Sequence, residues 1–277
     1  MADLSTIVLR AATDLASQVL ALLGALALLA TVLHVVERRL STRLAHRFGW
    51  RSVLVTGWLG VPIHECSHLV MCLLFRHRIV AVKLFDPDPA TGTLGYVQHA
   101  YSRRNLFQIA GNFFIGIAPL LGGSAFLLAA LAVLLPDARP AWTSAPLPEH
   151  FADQLGVLAG QAWQTTTALL SPEHRAGWRL WVFLILTLCV GTHLSPSRPD
   201  LSGALPGFGL VLLGLLAWNL LAAAGWVGRG NWAHVAAGAL APLLSLLLLA
   251  VALQLAFWLV VEVVVWLTTP RRRAYRG

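Results

Sequence analysis

The sequence predicts an all-α polytopic membrane protein of about six transmembrane helices, with a membrane-associated β-hairpin after the second. Two observations carry that expectation. Of the 277 residues, 57% are hydrophobic and 12% charged, where soluble domains carry about 25% charged residues. Apolar runs long enough to cross a bilayer recur along the chain, and the mean hydropathy is +0.72. The net charge of +8 reads, in such a chain, as anchoring to anionic lipid and not as a nucleic-acid surface. The expected setting is therefore a lipid bilayer, with the inner membrane of a bacterium as the expected location.

Residues 17–36 are rich in Leu and Ala and form the first expected span. The arginine-rich run 37–47 behind it has apolar residues at helical spacing and is expected to lie along the membrane surface. The second span lies within 53–75 and contains Gly60-Val61-Pro62-Ile63-His64-Glu65-Cys66-Ser67-His68. Pro62 removes a helical donor there, with Gly57 and Gly60 loosening the same region, so either a break that widens access to the metal or a packing kink is expected. Residues 79–85 and 93–100 have strand composition, and Asp86, Pro87, Asp88, Pro89 and Gly92 between them supply turn residues. A third span is expected at 106–135, and an amphipathic helix at 150–170 within the polar stretch 136–177. A fourth span from Trp178 runs into the proline-broken segment 191–203, which holds Asp200. Spans five and six are expected at 206–227 and 232–267, before Arg271-Arg272-Arg273. With no internal repeat or linker, residues 1–277 read as a single membrane domain, with a core at 52–203 and accessory spans at 17–36 and 206–267.

The chemistry concentrates in the second span. His64 and His68 are one helical turn apart and share a face, so both imidazoles can reach one metal ion. Glu65 between them can reach a water on that ion, the pattern of a zinc-dependent hydrolase. Ionisable side chains inside a membrane helix are costly, which favours a functional reading of all three. A catalytic zinc usually takes three protein ligands. Met71 and Leu74 occupy the positions where an extended motif would carry Gly and a third His, and the next Glu is Glu149 in the polar stretch. Asp200 remains as the third ligand, with a helix cap or an ion pair to Arg198 as its structural alternative. Asp86 and Asp88 compete, but Asp is expected in a turn. Cys66, Cys72 and Cys189 read as small core residues and not as a disulfide or thiol metal site. His99 reads as a surface residue of the hairpin.

With these residues in place, the chain resembles the site-2 protease family of intramembrane zinc metalloproteases. The resemblance rests on His64-Glu65-Cys66-Ser67-His68 in one span, on Asp200-Leu201-Ser202-Gly203 beside a later one, and on the hairpin. It covers residues 57–203. Ala110-Gly111-Asn112 loosely matches a small-residue and Asn patch of the family's middle span. The chain departs where the family commonly shows Leu-Asp-Gly, and Ser195 precedes a Pro where Asn is common. The resemblance implies hydrolysis of a peptide bond in or beside a transmembrane protein substrate. Zn2+ would be held by His64, His68 and Asp200, with Glu65 as catalytic base. Asn112 or His193 would stabilise the oxyanion, or His193 would be an accessory ligand. Two other readings stay open. One is a metal transporter or regulator, although transporters usually show repeats or polar residues on several spans. The other is an inactive protease relative, which would not need Glu65.

Overall fold

The computed structural model describes residues 3–139 and 145–268; Arg271-Arg272-Arg273 lies outside them. Helices dominate, joined by one two-stranded antiparallel sheet. The chain opens with α1 (Leu4–Val19), a π-helical turn (Leu20–Gly24) and α2 (Ala25–Phe48), which run on as one apolar rod of 45 residues. The run 37–47 therefore continues α2 and is not a separate surface segment. Nothing between Val36 and Phe48 breaks a helix; the stop comes at Gly49, whose φ of 83° lies in the region glycine favours.

Helix α3 (Arg51–Leu74) follows and carries Pro62 without interruption, so of the two expectations at Pro62 the break is absent. Strands β1 (Arg78–Lys83) and β2 (Tyr96–Ala100) form the hairpin, with a bulge between Ile79 and Ala81. Helix α4 (Leu106–Leu134) begins where the Asn105 side chain accepts from the Phe107 and Gln108 backbone amides, satisfying donors a helix start leaves free. Beyond it come α5 (Phe151–Leu169), the short α6 (Pro172–Arg175), α7 (Trp178–Gly191), α8 (Arg198–Ala223) and α9 (Trp232–Thr268). Helix α5 is the amphipathic segment expected at 150–170.

Four helical stretches are long and apolar enough to cross a membrane: Leu4–Phe48, α4, α8 and α9. Helix α3 is not among them, because His64, Glu65 and His68 dilute its apolar run. Helix α7 has 14 residues, about 21 Å at the helical rise. The fifth expected span also starts earlier than 206: α8 opens at Arg198, so Asp200 lies in its first turn and Pro206 inside it. Ser197 caps it, accepting from the Asp200 amide while the Asp200 carboxylate accepts from the Ser197 backbone, a reciprocal capping box.

Helix α4 occupies the middle, packed against α3 on one side and α8 on the other. That sandwich sets the distance between the HExxH helix and Asp200. It depends on small residues: a Cβ on Gly116 would stand 2.6 Å from the Ala204 Cβ and 2.7 Å from the Asp200 carbonyl oxygen. The apolar core, with Leu33, Leu127, Phe183 and Leu247 sealed from solvent, ties α2, α4, α7 and α9 together. Gln18 on α1 and Asn219 on α8 exchange two hydrogen bonds of 3.0 and 2.9 Å, pairing their buried amides across that contact.

Candidate metal centre

His64 and His68 leave the same face of α3, and their Nε2 atoms stand 3.1 Å apart. Asp200 reaches them from the first turn of α8, with Oδ1 3.4 Å from His68 Nε2 and Oδ2 3.8 Å from His64 Nε2. The far side of each ring is committed. His64 Nδ1 lies 2.7 Å from the His193 carbonyl oxygen and His68 Nδ1 lies 2.8 Å from that of Ile115. A carbonyl only accepts, so both Nδ1 atoms carry a proton, and it is Nε2 of each ring that is left to face the other groups. Two imidazole nitrogens and a carboxylate thus converge on one point. That arrangement could hold a metal ion, and Nδ1–H bonds to backbone carbonyls are a common way metal-bound histidines are oriented.

The spacing fits a small tetrahedral ion. Donors at about 2.0–2.2 Å from a common centre stand roughly 3.3–3.6 Å apart, against 3.1, 3.4 and 3.8 Å between these atoms. Three protein donors leave one position open. Asp200 serves as both cap and candidate ligand, since Oδ2 also accepts from the Ser197 hydroxyl at 2.6 Å.

Local sequence explains the approach of the two halves. One turn before His64, Gly60 has no side chain; a Cβ there would collide with the Cys189 carbonyl oxygen on α7 and with the His193 ring. The close crossing of α3 and α7 brings the His193 carbonyl onto His64. The His193 ring itself turns away to Thr56, with Nε2 3.1 Å from its hydroxyl. His193 therefore positions His64 through its backbone, and its ring is outside the donor cluster, although it reaches the cavity wall.

A cavity of about 510 Å³ opens over the cluster. His64, Glu65, His68 and Asp200 line one side, and the hairpin stretch 93–97 lines another. Glu65 is 8% exposed, a shielded carboxylate beside the candidate ligands. Asn112 is not among the lining residues; it is buried in α4 and its Nδ2 has no hydrogen-bond partner. The geometry gives it no part in the site. Asp86 and Asp88 stay at the hairpin tip, where Asp88 accepts from the Ala90 amide and the Thr91 hydroxyl.

Glu37 of α2 also reaches the cavity wall, with Oε2 sealed from solvent and without a hydrogen-bond partner. It is the sole acidic residue between Asp14 and Glu65, a signal the surface-helix expectation passed over. Its neighbour His34 holds the Ser195 hydroxyl at 2.9 Å through Nδ1, so α2 braces the segment leading to Asp200.

A second group of donors gathers one turn further along α3. Cys72, His77 and His99 each offer a ligand atom within 4.8 Å of the others. Cys72 and His77 are buried and His99 is partly so, so the expectation of a surface histidine at 99 fails. Burial holds both imidazoles below their ordinary pKa, and for His99 the neighbouring His77 and His68 add to the effect. No protein-family model, no curated protein and no solved structure matches this chain, so the case for the site stands on its own geometry.

Proposed function

We propose that this chain is an intramembrane zinc-dependent endopeptidase that cleaves a transmembrane or membrane-associated protein, as the resemblance to site-2 proteases implies. The single observation carrying the proposal is the convergence of two imidazole nitrogens and one carboxylate on a shared point, with Glu65 on the wall of the same cavity. In this reading α3 and α7 also lie within the membrane, giving about six spans, and the chain is a multi-pass membrane protein.

When bound, zinc would polarise the scissile carbonyl and acidify a water in its open position. His64 and His68 keep their Nε2 lone pairs aimed at the ion, because the His193 and Ile115 carbonyls hold their Nδ1 protons. Glu65 takes the proton from the attacking water and delivers it to the leaving amine. Its shielded position on the cavity wall beside His64 and His68 supports that role. A helical substrate hides its peptide groups, so the cleaved segment has to be extended first. The hairpin supports this step: stretch 93–97 borders the cavity, and an extended segment can add to a free strand edge by main-chain hydrogen bonds.

Metal binding without hydrolysis is the second reading. Glu65 disfavours it, because holding the ion requires only the other three side chains. The test is reconstitution of the chain in lipid vesicles with a panel of single-pass peptides. Fragments should map within or beside the apolar segment, vanish with a zinc chelator and return with added zinc. A zinc-loaded, folded chain that cleaves none of them above the Glu65→Gln background would overturn the reading.

A further inference from the structure

We propose that Cys72, His77 and His99 form a second metal site, taking a thiophilic divalent cation of the zinc class and pinning the hairpin to the end of α3. The inference does not rest on proteolysis at the first site.

Three structural elements contribute one donor each. Cys72 is the last-turn residue of α3, four positions beyond His68 and on the same face, and it is fully buried with no disulfide. His77 follows the helix and is 4% exposed. His99 comes from β2. Thiolate with imidazole is a donor set that suits zinc and discriminates against magnesium and calcium.

The orientation of His77 is set as a ligand's would be. Its Nε2 donates to the Gln108 carbonyl oxygen at 2.9 Å, which leaves the neutral ring with a bare Nδ1. That Nδ1 stands 2.9 Å from His99 Nδ1. Gln108 is itself clamped: its side chain donates to the Arg76 carbonyl at 2.6 Å and accepts from the Ser102 amide at 2.7 Å. The Tyr101 ring stacks on His77 at 5.3 Å between centroids. Two imidazoles in a simple hydrogen bond would need no cysteine beside them. Opening the Nδ1 pair by a few tenths of an ångström gives the spacing of two nitrogens on one zinc.

The helix end is shaped to bring these donors together. The His77 amide bonds back to the Cys72 carbonyl at 2.8 Å and the Arg76 amide to that of Leu73 at 3.1 Å, the paired closure of a Schellman motif. That motif places Arg76 at φ 57°, the sole positive φ among the described residues other than glycine. Glycine would adopt this conformation without strain, so the chain holds an unfavourable backbone where His77 folds over Cys72.

Cobalt separates the two sites, because a thiolate–cobalt charge-transfer band can arise only where a cysteine binds. The full chain, purified in detergent and loaded with Co2+, should show that band. It should persist in His64→Gln/His68→Gln and in Cys66→Ser/Cys189→Ser, and vanish in Cys72→Ser and His99→Gln. Zinc content should be about two ions per chain in the wild type and about one when either site is removed. No band from the folded wild type would overturn the proposal without recourse to any variant. So would a band that follows Cys66 or Cys189.

Discussion

Two sets of donors hang on one helix a turn apart, and they are assembled on opposite plans. His64 and His68 gain their third partner from α8, far along the chain, through the spacer helix α4. Cys72 gains its partners from the turn that follows it and the strand that returns over it. The first set faces a cavity with a shielded carboxylate on its wall; in the second, Gln108 and Tyr101 cover His77 while His99 reaches the far end of that same cavity. An open position beside a base suits a reaction, whereas donors drawn from a helix end and the strand that returns over it suit a staple. The difference lies in what surrounds the ligands more than in the ligands themselves.

The largest expected effect falls on the base. Glu65→Gln should retain zinc and fold while turnover drops by about 10² or more; parallel metal analysis and cleavage assays read both. If zinc is lost along with turnover, Glu65 belongs with the ligands and the comparison loses its main distinction. Next comes Asp200. Asn at this position keeps an oxygen to accept from Ser197, so Asp200→Asn separates capping from ligation. It should leave the helical signal intact and weaken zinc binding by more than the roughly 10- to 100-fold that loss of a group supporting a ligand costs, read in a competition titration. Asp86→Ala and Asp88→Ala should leave that titration unchanged.

Packing effects should be smaller. Gly60→Ala puts a methyl group against the Cys189 carbonyl and the His193 ring. Forced separation of α3 and α7 should cost about 1–3 kcal/mol and withdraw the His193 carbonyl from His64, seen as a lower melting temperature together with weaker zinc binding. A lower melting temperature with unaltered zinc affinity would free the first site from dependence on that crossing. The smallest effect is at the hairpin tip. The Ala90 amide and Thr91 hydroxyl hold the Asp88 carboxyl below its ordinary value. Its contribution to the turn is therefore present above the usual carboxylate range and lost as pH falls through the depressed value. Proteolysis of the hairpin should rise slightly in that acid window, and Asp88→Ala should remove the pH dependence.

The sequence made half of this legible. The spacing of His64 and His68 is a periodic signal and survives without any tertiary knowledge. The hairpin and the long apolar helices were equally readable from turn residues and run length. Asp200 was found by elimination, and its placement at the end of one helix missed that Ser197 starts a new one there. A capping box is a short local pattern, and the prolines around it read more strongly as a break. Glu37 escaped because arginines beyond it suggested a surface segment, whereas uninterrupted helix formers carry α2 past it. Cys72, His77 and His99 follow no spacing rule, since a strand return brings the third donor into place. Asn112 shows the converse: a motif-like patch whose side chain the fold buries away from the cavity.

The most direct test of the central claim is X-ray absorption at the zinc edge on the folded Cys72→Ser chain, where only the first site can load. The account predicts about one zinc per chain with a nitrogen and oxygen shell at about 2.0–2.2 Å, including imidazole scattering and no sulfur. Asp200→Ala in the same background should remove most of that signal. A folded chain that holds no zinc after equilibration with the metal would contradict the account. His64, His68 and Asp200 would then be sharing a proton where the lone pairs converge.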